Sequence, residues 1–233
     1  MDNVGGFILN IRKLVKFLFN TFIIGGAVGL VVSFFVKWDT YAEHLNPIDW
    51  MELIGLLVFF LGLGFTFAVV SMTGYFAYLY IHRFGISLFR SFWPTVQILL
   101  IAFILFDLVY FPYRGSDGEI GLHWLILGVI AFFVYAWLVA RLKRKETNKT
   151  AFIPTLFFMI VITTVEWTPA LIAEGSDYVW LMLAPLLACN TYQIIGLHRI
   201  ANRVHGKSKI DPARRDPTPT KKKNKKQTPP QKA

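Results

Sequence analysis

Along most of this chain apolar residues come in long runs and do not alternate with polar ones. Six runs are long enough for spanning helices, which need about 20 residues. They are Leu14–Val36, Leu53–Ile81, Trp93–Phe111, Leu122–Ala140, Phe152–Ala173 and Val179–His198. Charge, proline or glycine closes each one: "WDTYAEHLNPIDWME" follows the first run, "FPYRGSDGEIG" the third and "RLKRKETNKT" the fourth. Helices are the expected form, because isolated strands would leave unpaired backbone groups in lipid. The pattern therefore predicts an all-α integral membrane protein with six transmembrane helices in a domain spanning residues 1–205.

The connections differ in charge, and that difference sets orientation. Arg12, Lys13 and Lys16 stand at the first run, and Arg83 and Arg90 lie between the second and third. Arg141, Lys143, Arg144, Lys145 and Lys149 lie between the fourth and fifth, and the basic residues from Arg199 onward follow the sixth. The other three connections hold Lys37 and Arg114 among Asp39, Glu43, Asp49, Asp117, Glu119, Glu174 and Asp177. Positive residues favour the cytosolic side, so both termini are expected in the cytosol of a multi-pass cell-membrane protein. Trp38, Trp50, Tyr113, Trp124 and Tyr178 then fall near the outer ends, where an aromatic belt is expected.

Composition agrees: of 233 residues 55% are hydrophobic and 16% charged, too apolar for a soluble domain. The net charge of +10 invites a nucleic-acid reading, but much of it sits in the stretch after Gly206, "KSKIDPARRDPTPTKKKNKKQTPPQKA". Residues 206–233 are expected to be a disordered basic tail, drawn to anionic lipid beside the membrane. No folded nucleic-acid-binding module accompanies it, so no nucleic-acid partner is expected. The single cysteine, Cys189, excludes an internal disulfide and a thiolate-rich metal site. No metal and no cofactor are expected, and no cleavable signal peptide is apparent.

The fifth run contains "TTVEWTPALIA", which puts Glu166 and Pro169 in an apolar helix. At about 1.5 Å per residue from Phe152, Glu166 lies roughly 21 Å into a core about 30 Å thick. An ionisable group at that depth is expected to face the bundle interior. Thr163 shares its face, and Pro169 removes the backbone donor for the Val165 carbonyl, which predicts a bent, polar seam. Asp107, on another inside-to-outside helix, is expected at a similar depth. Two readings of these carboxyls stand: protonated groups hydrogen-bonded between helices, or a site responding to protons, cations or a small ligand. In the sixth run Asn190 and Gln193 share one face at i, i+3, as amides that bond between helices do. Gly25 and Gly29 form a GxxxG pair that permits close helix approach.

Enzyme signatures are missing. There is no GxSG nucleophile motif, HExxH pair, Walker A sequence or dinucleotide-binding glycine fingerprint. The order of three segments says more: "FLFNTFIIGGAVGLVVSFFVKWDTY", then "EWTPALIAEGSDYVW", then "NTYQIIGLHR". Together they resemble the KinB-signalling pathway activation proteins (KbaA) of spore-forming, Bacillus-type bacteria, over about residues 10–200. That resemblance implies a membrane protein that helps activate the sensor histidine kinase KinB, which feeds the phosphorelay that starts sporulation. It implies no enzymatic activity and no role for any single residue. A KinB-type membrane histidine kinase is the expected partner, with direct contact and oligomeric state left open. The rival reading is a small transporter or substrate-binding membrane subunit with a polar outer-leaflet pocket.

Overall fold

The computed structural model describes residues 2–45, 48–115, 121–172 and 176–209. Of the expected outer-loop acids, Asp117, Glu119 and Glu174 lie outside the described residues, as do Ala173 and 210–233, which hold most of the basic tail.

Nearly all of the described chain is helical. The helices are α1 (Asp2–Val36), the short α2 (Trp38–Glu43), α3 (Trp50–Phe89), α4 (Trp93–Gly115), α5 (Leu122–Glu146), α6 (Phe152–Phe157), α7 (Thr163–Ile172) and α8 (Ser176–Lys209). α8 thus carries helix into the first residues of the expected tail. Asp49 caps α3, its side chain accepting from the backbone N–H of Met51 at 3.1 Å and Glu52 at 3.3 Å. Lys143, Arg144 and Lys145 occupy the last turn of α5, where cations favour the free carbonyls.

Five helical stretches are long and apolar enough to cross a membrane: Ile11–Val36, Trp50–Gly115, Leu122–Glu146, Lys149–Leu171 and Asp177–Leu197. The second would reach roughly 100 Å if straight, far more than one bilayer core. It is broken by a 3-10 turn at Arg90–Phe92, where Arg90 has φ 48°. Beyond the break Trp93 packs back onto Gly85 and bonds His82 of α3, so the chain reverses there. The two runs expected from the sequence, Leu53–Ile81 and Trp93–Phe111, are the arms of this hairpin.

The fifth run is less regular than a uniform helix. A π-helical segment, Phe158–Ile162, separates α6 from α7. Every residue from Thr155 to Thr164 is buried, so this stretch is enclosed on all sides.

Two groups of helices make the bundle. α1, α3 and α8 pack on one another, and α4 and α5 pack around α6, with α7 bridging to α8 and α3. Close approach in the first group depends on glycine. A Cβ on Gly29 would fall 2.7 Å from the Gly64 Cα, and one on Gly64 would fall 2.6 Å from the Gly25 carbonyl oxygen. The GxxxG pair of α1 therefore seats α3 within the same chain. At the other end of α1, Lys37 Nζ lies 2.7 Å from Asp177 Oδ2 at the start of α8, an ion pair tying the two helices.

Candidate functional site: a buried carboxyl–amide seam

Where α3, α7 and α8 meet, six residues form the polar centre of the bundle. Each helix contributes a pair spaced i, i+3: Ser71 and Gly74 from α3, Thr163 and Glu166 from α7, Asn190 and Gln193 from α8. That spacing puts both members of each pair on one helical face, so three short polar stripes converge.

Asn190 is the hub. Its Nδ2 donates to Glu166 Oε2 at 2.7 Å and to Thr163 Oγ1 at 2.9 Å. Its Oδ1 accepts from Ser71 Oγ at 2.6 Å, and Ser71 Oγ accepts from Gln193 Nε2 at 2.9 Å. The side-chain donors thus run in one direction, from Gln193 through Ser71 and Asn190 to the Glu166 carboxyl. Ser71, Thr163, Asn190 and Gln193 are fully enclosed, and Glu166 is 7% exposed. Two oxygens in the seam, Glu166 Oε1 and Gln193 Oε1, have no hydrogen-bond partner. Gly74 sits against Oε1, so closely that a Cβ there would collide with the carboxyl. The seam is filled by its own side chains.

The π segment sets the angle of the carboxyl. Its wider turn brings Thr163 Oγ1 within 3.5 Å of the Phe158 carbonyl, five residues back, while the same oxygen accepts from Asn190. Below it Phe157, Phe158 and Met159 pack into the main apolar core with Tyr75, Tyr78 and Ile101. Above it Trp167 Nε1 donates to the Val179 carbonyl at 3.0 Å, fixing α7 to α8.

Of the residues singled out from the sequence, the structure brings together Glu166, Thr163, Asn190 and Gln193. Asp107 is half-buried on α4, in the other helix group, and among the described residues no hydrogen bond links it to the seam. Pro169 lies on the exposed side of α7, and Ala170 is the buried neighbour. Pro169 stands inside α7, and a separate irregularity, the π segment Phe158–Ile162, lies about two to three turns upstream of it. Gly25 and Gly29 lie at the α1–α3 contact. Sequence reasoning missed Ser71 and Gly74. The available signal was the "SMTGY" interruption of an apolar run, with the same i, i+3 spacing as the other two pairs. Among the described residues no group of three or more His, Cys, Asp or Glu is placed to hold a metal ion.

An all-helical bundle with several long apolar helices, closed around a buried carboxyl–amide network, is the class of protein this fold defines. The chain belongs to the KbaA family, described as KinB-signalling pathway activation in sporulation, whose model matches residues 25–200. That span runs from the glycine contact of α1 through the whole seam into α8. The chain is similar to the KinB-signaling pathway activation protein of Bacillus subtilis (strain 168), 36% identical over 196 residues that cover 82% of this chain and 98% of that protein. No solved structure matches.

Proposed function

We propose that this chain is a membrane-embedded activator of the KinB sensor histidine kinase pathway, which feeds the phosphorelay initiating sporulation. The family match over residues 25–200 carries this reading, since it spans the seam and the helices that build it. In this reading the protein is not an enzyme. It crosses the cell membrane six times, α3 and α4 counting separately on either side of the Arg90–Phe92 turn, with both termini in the cytosol and the basic tail near anionic lipid. The alternation of basic and acidic connections supports that orientation.

An activator must hold different free energies of contact with the two states of its target, or it shifts nothing. The seam is suited to fixing one helix arrangement, because all four bonds to Asn190 and Gln193 fail if α8 moves by a turn, and the two to Thr163 and Glu166 fail if α7 does. The transport alternative fits less well. The seam is packed shut, and the described cavity of about 230 Å³ lies elsewhere, lined by aromatic and aliphatic side chains including Phe34, Trp38, Tyr41 and Trp50.

The test is a sporulation reporter in a host lacking its own copy of the gene, with KinB as the sole relay kinase. The intact chain is expected to restore signalling, and Asn190→Leu, at matched membrane abundance, to lose it. No rescue by the intact chain overturns the activator reading. Full rescue by Asn190→Leu leaves the activator and removes the seam from its mechanism.

A further inference from the structure

The corner between α3 and α4 holds a second arrangement of groups, about three turns from the seam along α3. Trp93 is buried, 5% exposed, and its indole N–H donates to His82 Nδ1 at 3.1 Å. Its ring lies on Gly85, stacks on Phe89 with centroids 5.9 Å apart, and meets Phe157 of α6 at 6.1 Å. On the other side of His82 the Tyr78 ring stacks at 5.7 Å. These contacts hold the hairpin together at its turn, where Arg90, at φ 48°, adopts a backbone state that costs a residue with a Cβ.

A histidine nitrogen that accepts a hydrogen bond must be unprotonated, so the other ring nitrogen, Nε2, carries the proton of neutral His82. A second proton has to go on Nδ1, where it takes the lone pair the indole uses. We propose that His82 and Trp93 form a proton-sensitive latch on the α3–α4 corner, closed when His82 is neutral and released when it is protonated. The charged residues along this stretch oppose the second proton and, once it is on, oppose the closed form: Arg83 follows His82, Arg90 stands in the turn, and no acidic residue occurs between Glu52 and Asp107. Tyr78 from α3, Trp93 from α4 and Phe157 from α6 face the pair and bring no charge.

His82 stands just past the apolar run Leu53–Ile81 and is half-buried, within reach of water at that end of the bundle. Burial holds its imidazole below the ordinary value of 6.5. The contribution of the latch is therefore full above the ordinary histidine range and is lost as pH falls through the lowered midpoint. The compartment sensed rests on the orientation proposed above, which places this corner in the cytosol. The latch itself does not rest on it.

The test is nuclear magnetic resonance of the full chain in lipid nanodiscs, with ¹⁵N-labelled tryptophan and ¹³C-labelled histidine. The Trp93 indole signal, identified by its loss in Trp93→Phe, is expected to move as pH falls below about 6.5, with the same midpoint as the His82 ring. Trp93→Phe is expected to raise the His82 midpoint by about half a unit, the worth of one modest hydrogen bond. His82→Gln, which keeps an acceptor that does not titrate, is expected to leave the Trp93 signal flat across the range, and it serves where Trp93→Phe fails to fold. A Trp93 signal that ignores His82 titration in the intact chain overturns the latch. So does a signal that still titrates in His82→Gln. These outcomes are independent of the sporulation reporter, so the latch and the activator reading fail separately.

Discussion

α5 and α8 are both apolar enough to cross a membrane, yet they occupy opposite environments. Of the most apolar window of α5, 22% is buried inside the bundle, against 56% for α8 and 61% for the α6–α7 stretch. The more buried helices are the more polar ones. α8 points Asn190 and Gln193 inward, whereas α5 leaves Leu127, Ile130, Val134 and Leu138 exposed on its outer face. A water-soluble bundle shows the opposite order. Where lipid is as apolar as leucine, burying leucine gains little, and what holds helices together is close packing and hydrogen bonding. For the membrane-embedded chain proposed above, the contrast teaches that the exposed apolar residues serve as the surface toward lipid, while the few polar ones carry the specificity of assembly.

The most severe way to test that contrast is Asn190→Leu. It adds apolar surface to the centre of the bundle and is nonetheless expected to destabilise it by about 2–4 kcal/mol, because Glu166, Thr163 and Ser71 lose their partner together. Denaturant-induced unfolding in mixed micelles reads it, and an unchanged midpoint would mean that the seam is not what holds α7 to α8. A smaller effect is expected from Gly29→Ala, about 1–3 kcal/mol, since its new methyl meets the backbone of Gly64. Gly62→Ala, where a Cβ meets nothing within 4 Å, is the matched control and should be neutral or slightly stabilising in the same assay. The smallest effect belongs to the periphery. Leu138→Ala on the outer face of α5 is expected to change unfolding by less than about 0.5 kcal/mol. A loss comparable to that at Asn190 would show that this face is covered by protein.

Much of this was legible in the sequence. Apolar runs locate helices because a spanning segment has to be long, and Asn190, Gln193, Thr163 and Glu166 stand out because polar groups inside such runs need partners. What was not legible depends on details that the average helix hides. Reading Glu166 and Pro169 on a uniform 3.6-residue wheel drew attention to the proline alone. The chain departs from that wheel at Phe158–Ile162, an unbroken apolar stretch with no residue type that marks a π turn. Asp107 looked like a second member of the site because depth along a helix is readable from counting, whereas the side of the bundle a helix occupies is not. Ser71 and Gly74 were hidden by their size. A serine and a glycine interrupt an apolar run only slightly, and their importance comes from what faces them.

The π segment has a consequence for how the chain tolerates change in length. A wide turn holds one residue more than the α-helical turn it replaces, so removing one residue between Phe158 and Ile162 would let the stretch close into regular helix. The helix beyond it would keep about the same angle, so Thr163 and Glu166 would still meet Asn190 and the seam would tolerate that deletion. The regular turns of α7 and α8 have no such slack: a residue removed between Thr163 and Glu166 turns everything beyond it by about 100° and carries the carboxyl off the face that meets Asn190. The wide turn is thus a reserve of one residue, held next to a site whose own spacing has none.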